Sequence, residues 1–184
     1  MGAAAPVATA PRYTIPTRAL HWLQAALILG LVALGWWLVG LDYYHRWYND
    51  ALFWHRALGL AVVPIAALQL AARQRRRLRG AQLPAVGARW EQRAATAAHW
   101  LFFALMFAVP VTGYLISTSA GAAIPLPAGW QLPAVIAIDS AARDLAIAAH
   151  YWLAYSVAAL AAIHAAAAFK HHIVDRDPVL RRMV

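Results

Sequence analysis

The chain has no cysteine, which removes disulfides, thiolate metal sites, iron–sulfur clusters and the C-x-x-C-H attachment of c-type haem. Acidic residues are also scarce: seven Asp and Glu stand against sixteen Lys and Arg in 184 residues, for a formal net charge of +9. Only 12% of residues are charged while 63% are hydrophobic, and the mean hydropathy of +0.55 excludes an ordinary soluble domain. The basic excess does not read as a nucleic-acid footprint, because the arginines stand between and after apolar blocks rather than on a polar domain. They read as topology signals, and no nucleic-acid partner is expected.

What is present are apolar runs long enough to cross a bilayer. Residues 1–16 are small and proline-punctuated, and are expected to form a flexible N-terminal segment. Four helices are then expected at about 17–41, 52–72, 94–117 and 144–172. The first is too long and too aromatic for a signal-peptide core, and no small-residue cleavage signature follows it. The fold class is therefore an all-α membrane protein, a four transmembrane helix bundle in one domain spanning 17–184. The segment from Ser119 to Arg143 is apolar but too interrupted by proline for a fifth span, and should lie at the outer interface or cap a site there.

Basic residues orient such a bundle, since arginine and lysine are retained on the cytoplasmic side. Thirteen of the sixteen fall before the first block, between the second and third, or after the fourth; the other two connections hold only Arg46, Arg56 and Arg143. Both termini are expected in the cytoplasm, and the arginine run from Arg73 to Arg79 could also bind anionic lipids.

The histidines sort by depth in this topology. His150 and His164 lie fourteen residues apart in the last block, which at helical rise places them roughly 21 Å apart along the axis and on nearly the same face. His21 begins the first block and His55 the second, so the natural pairs are His21 with His164 on the cytoplasmic side and His55 with His150 on the outer side. A polar imidazole in hydrocarbon is costly without a partner, and a neutral histidine nitrogen is a good axial ligand for haem iron. Four imidazoles in two layers suggest two bis-histidine haems. Weighed singly, a histidine at a helix end is more often a solvated interfacial residue; His99 also competes with His21 as partner of His164. A haem-free transporter or proton channel is the reading from another class, disfavoured by the shortage of intramembrane carboxylates.

The chain resembles the prokaryotic cytochrome b561 family through Arg18-Ala19-Leu20-His21-Trp22, Trp54-His55-Arg56-Ala57-Leu58-Gly59, Pro110-Val111-Thr112-Gly113-Tyr114, and the run from His164 through Lys170-His171-His172 to Asp175-Arg176-Asp177. The resemblance implies two haem b groups on His21, His55, His150 and His164, in the bacterial inner membrane. It further implies oxidation of superoxide at the periplasmic face and ubiquinone as electron acceptor at the cytoplasmic face. The alternative within electron transfer is the cytochrome b subunit of a dehydrogenase or hydrogenase, fed by a partner subunit. Arg56 stands where the family commonly has lysine, so positive charge is kept while hydrogen-bonding geometry changes.

On this reading Arg56 and Arg143 are candidate catalytic residues, available with Arg46 and His45 to attract a small anion to the outer site. Either arginine could instead pair with a haem propionate or with Asp50, Asp139 or Asp144. His171, two helical turns beyond His164, resembles the family's quinone-site histidine, and Arg18, one turn before His21, could reach a quinone carbonyl or a propionate. Pro64 and Pro110 are expected to shape room between helices, and Gly30, Gly35, Gly59 and Gly113 to permit close approach by a helix or a flat macrocycle.

Overall fold

The computed structural model describes residues 12–184, and it contains four long helices: α1 (Ile15–Val39), α2 (Tyr48–Leu78), α3 (Arg89–Thr118) and α4 (Ser140–Ile173). Each is long and apolar enough to cross a membrane. Consecutive helices pack side by side, the first two connections short and the third carrying a small hairpin, giving an up-down-up-down bundle. Helices α1 and α4 touch much less than the other neighbours, so the seam between them is the most open of the four.

Local chemistry sets the helix ends. Thr14 is extended and Pro16 falls in the first turn of α1, where its missing N–H costs nothing. Asp139 caps α4 by accepting a hydrogen bond from the Ala142 N–H at 2.8 Å. At the start of α3 the Glu91 carboxylate accepts from the Ala88 N–H at 2.8 Å.

Three expectations need correction. Helix α2 does not stop near residue 72 but runs through Arg73, Arg75, Arg76 and Arg77 to Leu78, because arginine and glutamine are good helix formers and no breaker appears before Gly80, whose φ is +63°. The arginine run thus decorates a helix projecting beyond the apolar span. Helices α3 and α4 begin four or five residues earlier than the apolar blocks suggest, since their first turns are polar. The flexible segment expected over 1–16 overlaps α1, which starts at Ile15, while residues 1–11 lie outside the described part of the chain.

The segment between α3 and α4 folds back on the bundle end. A two-residue antiparallel ladder, β1 (Ile124–Pro125) with β2 (Gln131–Leu132), closes a small hairpin, and Ile124 is almost fully buried. Tyr114 on α3 pins the stretch beyond it, donating to the Pro133 carbonyl at 2.8 Å and accepting from the Val135 N–H at 2.9 Å.

Beyond α4 the chain turns back across the opposite end. Tyr13 N–H donates to the Arg182 carbonyl, Trp22 Nε1 to the Met183 carbonyl and Arg18 to the Val184 carbonyl, while Arg182 reaches the Pro84 carbonyl. The first turn of α1, the α2–α3 connection and the end of the chain therefore share one end of the molecule, and the hairpin caps the other. Arg18 accordingly bonds the tail.

Large apolar side chains such as Leu29, Leu68, Leu101 and Ile163 face outward, as expected where the solvent is lipid. Packing is tightest at mid-height, where Val62, Ala66 and Met106 are buried against Ile28, Leu31, Phe102, Phe103 and Phe107. This apolar slab separates the two levels at which the histidines lie.

Candidate functional site

Two imidazole pairs meet inside the bundle. His21 on α1 and His164 on α4 have ring centres 6.5 Å apart near the tail end, and His55 on α2 and His150 on α4 have ring centres 6.1 Å apart near the hairpin end. The fourteen-residue spacing puts one histidine of α4 in each pair. Two imidazoles bonded from opposite sides to one metal ion, at about 2.0 Å per bond, stand with ring centres about 6 Å apart. Both pairs fit that arrangement.

His99 on α3 approaches His164 from another side at 5.6 Å, and Phe102 packs edge-on against the same ring at 5.5 Å. Three imidazoles therefore crowd the tail-end level, whereas the hairpin-end level holds two.

The ring nitrogens differ in their bonding. His150 Nδ1 lies 3.1 Å from the Val109 carbonyl and 3.0 Å from Thr112 Oγ1, and the Thr112 hydroxyl itself donates to Val109. A carbonyl can only accept, so Nδ1 carries the proton and Nε2 keeps its lone pair for a ligand. This is the tautomer that metal-binding histidines adopt when a second group orients them. By contrast, the buried Nδ1 atoms of His21 and His55 have no hydrogen-bond partner among the described residues.

Glycines give these rings their space. A Cβ added at Gly35 would lie 3.1 Å from His55 Cε1, and one at Gly113 would lie 3.1 Å from His150 Cε1. Nothing lies within 4 Å of a Cβ built at Gly30 or Gly59, so no neighbouring helix approaches closely at those two positions. Both cradles belong to the His55–His150 level, and the donor set of two neutral imidazoles at each level is one that suits haem iron.

The remaining candidates scatter. Arg56 follows His55 in sequence, is half-buried, forms no ion pair among the described residues and leaves its buried Nε without a partner. Arg143 is exposed in the first turn of α4, with Asp144 at 3.9 Å. Arg46 lies over the Trp47 ring at 5.1 Å, and His45 Nδ1 accepts from the Trp47 N–H at 3.3 Å. At the other end His171 is mostly buried, its Nδ1 2.7 Å from Asp177 and 2.9 Å from Asp175.

Sequence reading missed Gln24. It is 4% exposed, one turn beyond His21, and neither its Oε1 nor its Nε2 finds a partner among the described residues. An unsatisfied buried amide costs about 1–3 kcal/mol. Its spacing from His21 was the available signal, since i and i+3 share a helix face.

Comparison with known proteins agrees with this architecture. The family model described as prokaryotic cytochrome b561 matches residues 12–184. Cytochrome b561 homolog 2 of Escherichia coli (strain K12) is 37% identical over 176 residues, covering 96% of this chain and 93% of that protein. The chain thus belongs to the prokaryotic cytochrome b561 family: a multi-pass inner-membrane electron-transfer protein of a family that binds haem b.

Proposed function

We propose that this chain is a dihaem superoxide:quinone oxidoreductase, with His21 and His164 holding one haem b and His55 and His150 the other. The observation that carries the reading is the pair of imidazole couples, 6.5 Å and 6.1 Å between ring centres, at opposite ends of one bundle. Haem b, held by the two histidines of each couple, would supply one-electron chemistry there. The net reaction balances as two superoxide anions, one quinone and two protons giving two dioxygen molecules and one quinol.

Residues at each end have distinct tasks. At the hairpin end a small anion must be attracted and desolvated, and the half-buried Arg56 beside His55 offers positive charge not spent on a carboxylate. Arg143 adds exposed charge for steering. At the tail end, His171 and Arg18 are the polar groups proposed to meet quinone oxygens, with the apolar surface of Ile15, Ala19 and Trp22 between α1 and the tail as the slot, a concavity of about 320 Å³. Membrane lipids surround the exposed apolar faces. Both termini are assigned to the cytoplasm on the distribution of arginine.

The experiment is a superoxide pulse applied to purified protein in stopped flow, with and without ubiquinone. Rapid haem reduction followed by quinone-dependent reoxidation supports the reading. A haem signal unresponsive to superoxide overturns the donor assignment and points to a partner subunit, as in the cytochrome of a dehydrogenase or hydrogenase. A protein that takes up no haem overturns the reading entirely and leaves a histidine-lined transporter or channel.

A further inference from the structure

The end of α4 carries a hydrogen-bonded network that electron transfer alone does not require. His171 Nδ1 faces two carboxylates, Asp177 at 2.7 Å and Asp175 at 2.9 Å. Asp177 is itself fixed three ways: its N–H donates to the His171 carbonyl at 3.0 Å, one carboxylate oxygen meets the ring, and the other accepts from the Val179 N–H at 3.1 Å. Asp175 also binds the Lys170 ammonium at 2.8 Å, and that ammonium binds Glu91 of α3 at 2.7 Å. The acids are thus already matched by a cation of the chain, which distinguishes the network from an ion-binding cluster.

The backbone is bent to build this arrangement. Arg176, between the two aspartates, has a φ of +56°, a left-handed conformation that non-glycine residues seldom adopt. Gly87, with φ +81°, lets the α2–α3 connection pass close to the ring: a Cβ there would lie 2.6 Å from Glu91 Oε2 and 3.3 Å from His171 Cε1. Side-chain exposure rises outward from 14% at His171 through 30% at Asp175 to 48% at Lys170. His171 lies seven residues past His164, about 10.5 Å along the helix.

We propose that Asp177 and Asp175 are positioning residues that hold His171 as proton donor to a quinone oxygen, with Lys170 and Glu91 fixing Asp175. The inference rests on the quinone-reducing reading above and adds the source of its protons. Because Nδ1–H is given to carboxylates, Nε2 is the ring nitrogen left to donate. In the step, the Nε2–H bond of a protonated ring breaks and an O–H bond forms on the quinone, while the electrons come from the reduced cytochrome. The ring is left neutral with Nδ1–H still shared between the carboxylates, and a proton from water restores Nε2–H. The groups facing the ring are Asp175 and Asp177 from its own segment and Glu91 from α3, with the Lys170 ammonium bound to Asp175 and Glu91.

The test uses full-length, haem-loaded protein reduced with dithionite and mixed with a water-soluble ubiquinone analogue, reading haem reoxidation, the solvent deuterium isotope effect and proton uptake by an indicator dye. Asp177→Asn should slow reoxidation about tenfold or more with KM for the quinone little changed, and should enlarge the isotope effect, while Asp177→Glu restores most of the rate. Asp175→Asn, which leaves the Val179 turn bond untouched, should show the same pattern more weakly and guards against a folding defect at Asp177. Wild-type rates and isotope effects in both variants would overturn the proposal while leaving the quinone reading intact. Failure of the wild-type protein to be reoxidised by quinone would overturn that reading itself.

Discussion

The four histidines that stand in two facing couples differ in what holds their rings. That Thr112 and the Val109 carbonyl orient His150 depends on how α3 rotates against α4, which no single-helix pattern encodes. The glycines show the same limit: sequence nominates four, and the packing of α1 on α2 and of α3 on α4 selects Gly35 and Gly113. Gly113→Ala should therefore disturb the His55–His150 level, costing about 1–3 kcal/mol through overpacking and lowering haem content there. Gly30→Ala, whose Cβ meets no protein atom within 4 Å in the interior of α1, should not lower the thermal melt. Equal loss in both variants would remove the role assigned to the cradle. At the crowded tail-end level, His21→Ala should abolish one haem and His99→Ala should retain both; the reverse result would make His99 the partner of His164.

Elements were read well in number and order, less well at their ends. Hydropathy marks where a helix meets lipid, whereas a helix ends where capping and backbone propensity stop it, and in a membrane protein these positions differ. Helix α2 continues through four arginines because arginine disfavours lipid without disfavouring helix. The start of α4 lies at Asp139, a cap that hydropathy ignores. Asp139→Ala should lower the melting temperature through loss of about 1 kcal/mol while leaving haem content unaltered, since the first histidine of α4 lies eleven residues further on. An undiminished melting temperature would show that the hairpin end is held by Tyr114 and Ile124 instead.

At the scale of the whole molecule, the arrangement is two histidine levels separated by an apolar slab, with most of the arginines and the strapped tail at one end and the hairpin at the other. Which end faces the cytoplasm rests on charge distribution, and the absence of native cysteine makes that directly testable. Single cysteines placed at Ala122 and Ala81 should divide cleanly: the first labelled by an impermeant maleimide from the periplasm, the second only after the inner membrane is opened. The open seam between α1 and α4 is also a whole-molecule property, since it depends on how the first and last helices close the ring. Neither helix reveals it alone.

The central claim is that two bis-histidine sites, built from four particular residues, each hold one haem. Haem per chain, measured by pyridine haemochrome in the wild-type protein and in His55→Ala and His21→Ala, tests it most directly. The account predicts two haems in the wild type and one in each variant, lost from a different spectral component each time. A single haem in the wild type, or two retained after either substitution, would contradict it.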